Sequence, residues 1–285
     1  MFLLHFVGAG FKPALIFLFL FNALGVSSVV LAEQPTELRV CLLEENLPLS
    51  SRKENSGFDL DTGKVIAEAL RRTFVPVWVP NSTQIQEIEE SDFPLRRLTK
   101  NACDAIFSVP GEDALKGVPK AALGAPYYGA AFEFVSQGGT GPANLAALKD
   151  RPVAVQAQTI ASFILNARKV SMRTFFSVEA ALIGVTKGEA EIAFVWGPIA
   201  GWYLRSHPEV KLSFTNGYEP LAVARWNEHV ATRKSDSELR EAIDAALNRL
   251  ATAGTLKTLA ERYGMHFRPP FATTYSAAEM QKLKP

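Results

Sequence analysis

Glu44 and Glu45 form the first group in the sequence that could carry out acid–base chemistry. Two neighbouring carboxylates repel each other, which raises the pKa of one of them and prepares it to act as an acid. On an extended loop, however, successive side chains point to opposite sides. The pair therefore indicates a solvated loop, and an enzyme such as a dehydratase that uses these carboxylates remains an alternative.

A second group, formed by Gln156, Gln158 and Thr159, lies between a predicted strand and the start of a predicted helix. Backbone N–H groups at such a helix start can bind an anion. The same position also suits a residue that caps the helix, as the Thr159 hydroxyl would. The sequence leaves both interpretations open.

Trp196 follows a predicted strand and is followed directly by Gly197-Pro198. These two residues should end the strand and expose the indole ring, which favours stacking on a ligand or a partner over burial in a core.

Motifs of known catalytic and metal sites are missing from the sequence. It contains neither a Gly-x-Ser-x-Gly motif nor a His-Glu-x-x-His motif, and its histidines are scattered. The glycine-rich segment 138–141 lacks the following Lys-Ser/Thr of a phosphate loop, so it indicates a linker. We therefore expect no catalytic residues, no metal and no cofactor.

The N-terminal residues are typical of a secretory signal. Lys12 precedes the apolar run 13–21, and small residues precede a cleavage point after Ala32. The apolar run is shorter than the roughly 20 residues that span a bilayer, which favours a cleaved signal over an anchor. The sequence thus predicts a signal peptide over residues 1–32 and export to the periplasm.

The charge balance argues against binding to nucleic acid or to an anionic membrane. The chain has 30 Lys and Arg against 29 Asp and Glu, and removal of Lys12 with the signal leaves 29 against 29. No second apolar run is long enough to span a membrane, so we expect no membrane insertion after cleavage.

Cys41 and Cys103 are the two cysteines of the chain. The predicted compartment favours a disulfide between them. Their strand positions argue against it, because an offset of three residues between parallel neighbours implies roughly 10 Å, beyond disulfide reach. The sequence alone leaves the pairing undecided.

Short apolar runs alternate with helical patterns along the chain, which predicts an α/β protein. The predicted strands are 38–42, 74–79 (an edge strand, because of Pro76), 105–109, 130–136, 153–155, 192–195 and an extended segment at 221–224. Helices are predicted after Gly57, around 94–100, from Ile160, at 178–187, after Asp236 and up to Gly264, and the tail from Arg268 should lie on the surface as a strap.

The order of these segments resembles bacterial extracellular solute-binding proteins of family 3. The matching pieces are Leu38-Arg39-Val40, Gly57-Phe58-Asp59-Leu60-Asp61, Cys103-Asp104-Ala105-Ile106, Pro126-Tyr127-Tyr128, residues 145–155, the segment from Val195 and the ending Glu261-Arg262-Tyr263-Gly264. The resemblance implies the two-lobed type II periplasmic binding protein fold, in which each lobe is a mostly parallel sheet flanked by helices. It places lobe 1 at residues 33–131 and 222–285, lobe 2 at residues 132–221, and two hinge strands near 132–134 and 221–223.

A small molecule would bind between the lobes, at the carboxyl ends of the strands. The residues that the resemblance and the strand ends place there are Glu44, Glu45, Phe58, Ser108, Pro110, Tyr127, Gln156, Gln158, Thr159 and Trp196. Of Tyr127 and Tyr128, one should be buried and one should line the cleft.

Two departures from the family point away from an amino-acid ligand. Amino-acid receptors of this family bind the ligand carboxylate with an Arg after the 105–109 strand and the ammonium with an Asp at the end of the 192–195 strand. Here residues 111–116 contain Lys116 but no Arg, and the second position is Trp196. Lys116 could replace the Arg in part, as a point charge.

Residues 196–203, together with Cys41 and Cys103-Asp104, resemble a branch of these proteins that accompanies quinoprotein (PQQ) alcohol or methanol dehydrogenases. One departure is that the branch has Asp-Pro-Asn-Asn before Leu-Pro, where this chain has Leu43-Glu44-Glu45-Asn46. The resemblance implies a non-enzymatic periplasmic partner of such a dehydrogenase or its cytochrome c. The alternative is an ABC-transporter receptor that serves an ABC permease and binds a small polar or uncharged solute.

Overall fold

The computed structural model describes residues 36–81, 94–148 and 151–280. The predicted signal peptide lies outside these residues. The strands are Glu37–Leu43 (β1), Glu45–Asn46 (β2), Ser50–Ser51 (β3), Thr73–Val79 (β4), Ala105–Val109 (β5), Ala121–Gln137 (β6), Val153–Gln156 (β7), Met172–Phe175 (β8), Ile192–Trp196 (β9), Leu212–Phe214 (β10) and Arg225–Arg233 (β11). The helices are Phe58–Ala69 (α1), Pro94–Thr99 (α2), Ile160–Ala167 (α3), Val178–Thr186 (α4), Gly197–Ser206 (α5), Ser237–Thr252 (α6), Thr255–Arg262 (α7) and Ala277–Met280 (α8).

The long strand β6 carries two different sets of partners. Its residues 121–131 pair antiparallel with β11, and the pairing continues through β5 and β1 to β4. From residue 132 it pairs instead with β9 and β10, and β9 continues through β7 to β8. The pairs β4–β1–β5 and β9–β7–β8 are parallel. The predicted α/β architecture is therefore confirmed, as two mostly parallel groups of strands that share β6, whereas the exact lobe boundaries stay a prediction.

Each group of strands has its own buried apolar side chains. Those around β1 and β5 come from residues 38–130 and 230–265. Those around β7 and β9 come from the uninterrupted stretch 132–224. Helices α1 and α6 pack on one face of the first group and α2 packs on the other. In the second group α3 packs on one face and α4 and α5 pack on the other, so each sheet lies between helices. No described helix has the length and apolarity needed to cross a membrane.

Several element ends lie where local signals predict them. Ser177 precedes α4 and its Oγ accepts a hydrogen bond from Ala180 N (3.1 Å), as expected of an N-cap. Gly254 separates α6 from α7 with a φ of 74°, which favours glycine. Strand β4, which contains Pro76, is an edge strand that pairs with β1 alone.

The segment predicted as the second hinge strand is not extended. Ala222–Ala224 form a turn of 3-10 helix, and Ala224 N donates to Leu221 O (2.9 Å). The prediction was wrong because small apolar residues also suit a tight turn on a core, and Ala224 is fully buried there. The strand that runs beside β6 is instead β11, which begins at Arg225.

Cys41 and Cys103 form a disulfide with a Cα–Cα distance of 5.6 Å. The expected offset of three residues is present, since Cys41 pairs with Ile106. Cys103, however, does not continue the line of β5. The chain bends at Asp104, whose N–H donates to Arg39 O (2.7 Å), and this bend brings Cys103 back beside β1. The objection from register was therefore wrong.

The C-terminal residues 268–276, called the strap from here on, lie across both β6 and β11. Gly129 N donates to Arg268 O (2.9 Å), and the Arg268 guanidinium contacts the two carboxylate oxygens of Glu133 at 2.6 and 3.0 Å. On β11, the Asn227 amide donates to Phe271 O (2.9 Å) and accepts from Phe271 N (2.7 Å). The predicted surface strap is thus hydrogen-bonded to both strands.

The close approach of the strap requires glycine at position 129. A Cβ atom there would lie 2.7 Å from the Phe271 ring and 2.9 Å from Pro269 O. The Phe271 ring also lies under the Arg225 guanidinium, 4.6 Å from the ring centroid. The strap therefore packs against the strands as well as hydrogen-bonding to them.

Candidate functional site

A largely apolar cavity of about 270 Å³ lies at the carboxyl ends of β1 and β5. Its polar lining consists of Asn46, Ser50, Asp59 and Ser108, and the apolar lining includes Leu43, Leu49, Phe107, Val109 and Ala114. Ligands of α/β proteins bind outside the carboxyl ends of the strands, and apolar cavities with a few polar groups are typical binding sites. This cavity is therefore the candidate site.

Asp59 is the charged group of this cavity, and it is 4 % exposed. It is placed there because it follows Phe58 at the start of α1, where the helix packs on the ends of the strands. The Tyr127 hydroxyl donates a hydrogen bond to Asp59 Oδ1 (2.8 Å). Burial raises the pKa of Asp59 to about 7, and the hydrogen bonds from Ser108 and Tyr127 oppose this rise only in part.

Ser108 connects the end of β5 to this carboxyl group. Its backbone N–H donates to Tyr127 Oη (3.2 Å), and its hydroxyl lies 3.2 Å from the same oxygen. Ser108 has a φ of 52°, a backbone conformation that residues other than glycine rarely adopt. Ser108 lies in the irregularity of the β5–β11 pairing between Ile106 and Val109, and there its N–H binds Tyr127 before the pairing resumes at Val109.

A second buried acid, Glu228, lies on β11 directly opposite Tyr128 of β6. Burial, with a smaller contribution from the Asp59 charge, raises the pKa of Glu228 to about 8. Among the described residues, neither Glu228 Oε2 nor Tyr128 Oη has a hydrogen-bond partner. Near neutral pH the two acids can therefore hold protons, and the site presents neutral hydrogen-bonding groups more readily than fixed charges.

The end of β9 is occupied by an aromatic cluster. The Trp196 ring lies 5.3 Å from the Phe132 ring and 5.5 Å from the Trp226 ring, measured between centroids. Trp196 is half-buried and also packs against the cores of both groups of strands. Gly197 begins α5 at this point, and a Cβ atom on it would lie 2.9 Å from Ala131 O. The cluster therefore fills the junction between the two groups.

Several solved structures have a similar arrangement of strands and helices. MxaJ from Methlophaga aminisulfidivorans MPT matches with a TM-score of 0.58 and 22% identity over 81% of this chain and 100% of that chain. The L-cystine solute receptor of Neisseria gonorrhoeae, in an unliganded open conformation, matches with a TM-score of 0.67 and 15% identity over 80% of this chain and 92% of that chain. The Lactococcus lactis GlnP substrate binding domain 2 matches with a TM-score of 0.65 and 16% identity over 81% of this chain and 96% of that chain.

The chain has the two-lobed periplasmic binding protein fold. At these identities the likeness concerns the fold. No family model and no curated protein sequence matches the chain.

The two positions where amino-acid receptors of the resembling family have an Arg and an Asp, here Lys116 and Trp196, hold no free charge. Lys116 is exposed and its Nζ lies 2.6 Å from Asp113 Oδ1, so it is already paired. Trp196 lies in the aromatic cluster. Its partial burial gives it a packing role that the sequence did not predict, and contact of its exposed part with a ligand stays a prediction. Within the described residues, no group of three His, Cys, Asp or Glu side chains is placed to hold a metal ion.

Glu44 and Glu45 do not act together in the structure. Glu44 is paired with Arg52, and Glu45 is exposed, with its backbone N–H bonded to Asn81 Oδ1 (2.9 Å). Neither lines the cavity, although their neighbour Asn46 does. The solvated-loop interpretation of this segment agrees with these contacts.

Thr159 caps α3. Its Oγ1 accepts from Ser162 N (3.3 Å) and donates to Gln156 O (2.7 Å), and Ser162 Oγ accepts from Thr159 N (3.1 Å). Gln156 donates weakly to Phe176 O (3.4 Å), and Gln158 is exposed. The structure therefore shows the capping role, and it does not bring these three residues to the cavity that contains Asp59.

The other predicted site residues divide between the cavity and the core. Ser108 and Pro110 line the cavity, as expected of the end of β5. Phe58 is fully buried and its ring stacks 6.1 Å from that of Tyr127, so it packs in the core, and its contact with a ligand stays a prediction. Tyr127 and Tyr128 are both 2 % exposed and neither lines this cavity, and the expectation that one of them lines the cleft stays a prediction.

Sequence reasoning missed Asp59 as a lining residue of the cavity, Glu228 as a buried acid and Trp226 as a member of the aromatic cluster. Asp59 stands in the segment Gly57-Phe58-Asp59 that carried the family resemblance, and a carboxylate inside an apolar run was the available signal. Glu228 and Trp226 gave no comparable signal, because their surroundings arise from the pairing of β11 with β6.

Proposed function

We propose that the chain is a non-enzymatic periplasmic protein that works as a partner of a quinoprotein alcohol or methanol dehydrogenase, or of its cytochrome c. The observation that carries the proposal is the aromatic cluster of Trp196, Phe132 and Trp226 at the end of β9. An amino-acid zwitterion that entered this place would lose its hydration without gaining a counter-ion, which is strongly unfavourable.

Three further features support the proposal. The sequence of residues 196–203 resembles the branch that accompanies these dehydrogenases. The structure is similar to that of MxaJ over the whole length of that protein. The disulfide between Cys41 and Cys103 suits an oxidising compartment, as does the predicted signal peptide. In this proposal lobe 1 comprises residues 33–131 and 222–285, and lobe 2 residues 132–221.

The strap also suits a protein that binds a partner rather than closing on a solute. A receptor of this fold alternates between two angles of its lobes, and the strands between the lobes bend. Here the strap binds β6 and β11 together through Glu133, Gly129 and Asn227. A fixed angle presents both lobes to a partner as one rigid surface, which reduces the entropy lost on binding.

The test is an affinity purification from the periplasm of a strain that expresses a quinoprotein dehydrogenase and its cytochrome c. A tagged amino-acid receptor of the same fold serves as the control. We expect mass spectrometry to show the dehydrogenase or the cytochrome enriched with this chain and not with the control. Equal recovery in both samples would count against the proposal.

The cavity favours a second candidate, a receptor that serves an ABC permease. Its volume of about 270 Å³ and the Asp59 carboxyl, whose pKa of about 7 leaves about half of it protonated at pH 7, suit a small uncharged or weakly polar solute. A thermal-shift screen of such solutes should then find one that stabilises the protein and loses its effect in Asp59→Leu. A screen without such a solute, together with enrichment of the dehydrogenase, would reject this candidate.

A further inference from the structure

The edge of the sheet at β8 exposes two large aromatic side chains. Phe176, which follows β8, is 98 % exposed, and Phe163 on α3 is 63 % exposed. Phe176 borders the loop after β7, because the Gln156 amide donates to Phe176 O (3.4 Å), and Phe163 lies in the first turn of the helix that follows this loop and packs on β7 and β8. Large apolar groups concentrated at one edge are more typical of interaction surfaces than of free surface.

The same edge carries an excess of positive charge. Arg168, Lys169 and Arg173 are exposed, and none of them forms an ion pair within the described residues. Residues 152–178 contain no Asp or Glu, whereas the whole chain is nearly neutral with 30 basic and 29 acidic residues. The positive charge is therefore local, and it is not neutralised by neighbours in the sequence.

Strand β8 also leaves main-chain groups available. It pairs with β7 on one side, and it is the last strand of its group in the described residues. The outer N–H and C=O groups of such an edge can pair with a strand or an extended loop of another protein.

We propose that these features form one docking surface for a folded protein that presents an acidic patch beside an apolar pocket. The surface, called the β8 edge from here on, consists of Phe163, Arg168, Lys169, Arg173, Phe176 and the outer side of β8. The inference rests on the proposed function, which makes the dehydrogenase or its cytochrome c the partner. The cations attract the acidic patch, the two rings fill the pocket, and main-chain pairing along β8 sets the orientation. An anionic membrane fits less well, since lipid headgroups offer no partner of fixed geometry to the edge of a strand.

The test measures binding of purified dehydrogenase and purified cytochrome c to the immobilised chain by surface plasmon resonance. One variant combines Phe163→Ser with Phe176→Ser, and a second reverses the charges of Arg168, Lys169 and Arg173 to Glu. Controls are Ile183→Ser, an exposed apolar residue on α4, and Lys120→Glu, an exposed cation outside the β8 edge.

We expect the serine variant to weaken binding about tenfold or more, chiefly through faster dissociation. The charge-reversal variant should bind more slowly, and added salt should raise its association rate whereas it lowers that of the wild type, because the new carboxylates repel the acidic patch and rim charges act mainly on association. Both controls should stay within about twofold of the wild type. Circular dichroism and melting temperatures of all variants establish that the fold is retained.

The possible contrary results are distinct. If the wild type binds a partner and both variants bind equally well, the β8 edge is wrong and the proposed function stands. If the wild type binds neither protein, both inferences fall. Vesicles of equal parts phosphatidylcholine and phosphatidylglycerol test the membrane, and vesicle binding lost in the same variants would assign the surface to lipid and overturn protein docking.

Discussion

Replacing Arg268 with Met should destabilise the protein by about 3–5 kcal/mol at pH 7. Arg268 and Glu133 form a buried ion pair with side chains 13 and 3 % exposed, joined by contacts of 2.6 and 3.0 Å. Methionine keeps much of the volume of Arg268 but removes its charge. At pH 7 the Glu133 carboxylate would then remain buried beside a neutral His266, whose Nδ1 lies 3.7 Å from Oε1 and whose pKa is lowered by burial, and Tyr218 O would lose the donor that Arg268 provides at 3.1 Å.

The loss should depend on pH in a defined direction. Burial raises the pKa of Glu133, and the contacts with Arg268 oppose this rise. Without Arg268, the pKa of Glu133 in the folded state rises further above its value in the unfolded chain. The folded variant then binds a proton that the unfolded chain does not, so its stability should increase as the pH is lowered from 7 to 5. The double variant Arg268→Met with Glu133→Gln should lose less stability relative to the wild type than Arg268→Met alone, because no unpaired charge is then buried.

Equilibrium urea unfolding at pH 5 and pH 7, followed by tryptophan fluorescence, measures all three proteins. Lys257→Met is the matched control, since Lys257 and Glu261 form an exposed ion pair with side chains 60 and 53 % exposed. Its loss should stay below about 1 kcal/mol. A loss for Arg268→Met equal to that of the control, or the same loss at both pH values, would refute the reasoning.

Three further predictions concern the disulfide, the buried acids and the strap. Replacing Cys41 and Cys103 with Ser should lower the free energy of unfolding by about 4 kcal/mol, because the bridge spans a sequence separation of 62, and reductant should have the same effect on the wild type in urea. The pKa values of Asp59 (about 7) and Glu228 (about 8) lie above their unfolded values, so the stability that each group contributes should fall as the pH rises from its unfolded pKa to about 7 for Asp59 and about 8 for Glu228, by up to about 1.4 kcal/mol per pH unit for each group. Gly129→Val should displace the strap, since its Cβ would lie 2.7 Å from the Phe271 ring, and should cost about 1–3 kcal/mol and speed proteolysis of the C-terminus.

Each of these has a clear contrary outcome. Equal urea midpoints with and without reductant would contradict the role of the disulfide. An Asp59→Asn variant whose stability varies with pH as steeply as the wild type would show that Asp59 does not titrate as described. Gly129→Ala adds only the Cβ atom, so it should displace the strap in the same direction but less than Gly129→Val, and an intact C-terminus in both variants would argue against the close approach of the strap.

Much of the fold could be predicted because apolar runs, helix caps and strand-breaking residues define most of its elements locally. Strand β5 is the apolar run 105–109 ended by Pro110, and α4 lies between Ser177 and Gly188, so cap and breaker residues define both. Strand β6 was predicted too short, because its first half, 121–131, contains Gly124, Pro126 and Gly129 and is held extended by pairing with β11. Pairing of distant segments overrode local preference there.

The candidate site was harder to predict than the fold, because its members meet through long-range pairing. Glu228 reaches Tyr128 only through the register of β11 on β6, one hundred positions away in the sequence. The disulfide depends on a bend at Asp104 that strand geometry does not foresee. Asp104 itself is held there by Arg39 and Arg233, whose hydrogen bonds lower its pKa although burial acts in the opposite direction.

The path of the chain through the two cores sets the order in which they can be completed as the chain emerges, N-terminus first. The buried side chains around β7 and β9 come from residues 132–224, so this half is complete as soon as that stretch has emerged. The other half begins earlier, at residue 38, but it is complete only when residues 230–265 have emerged, just before the strap. The half that starts first thus finishes second, and the strap, which emerges after both, fastens them together at the end.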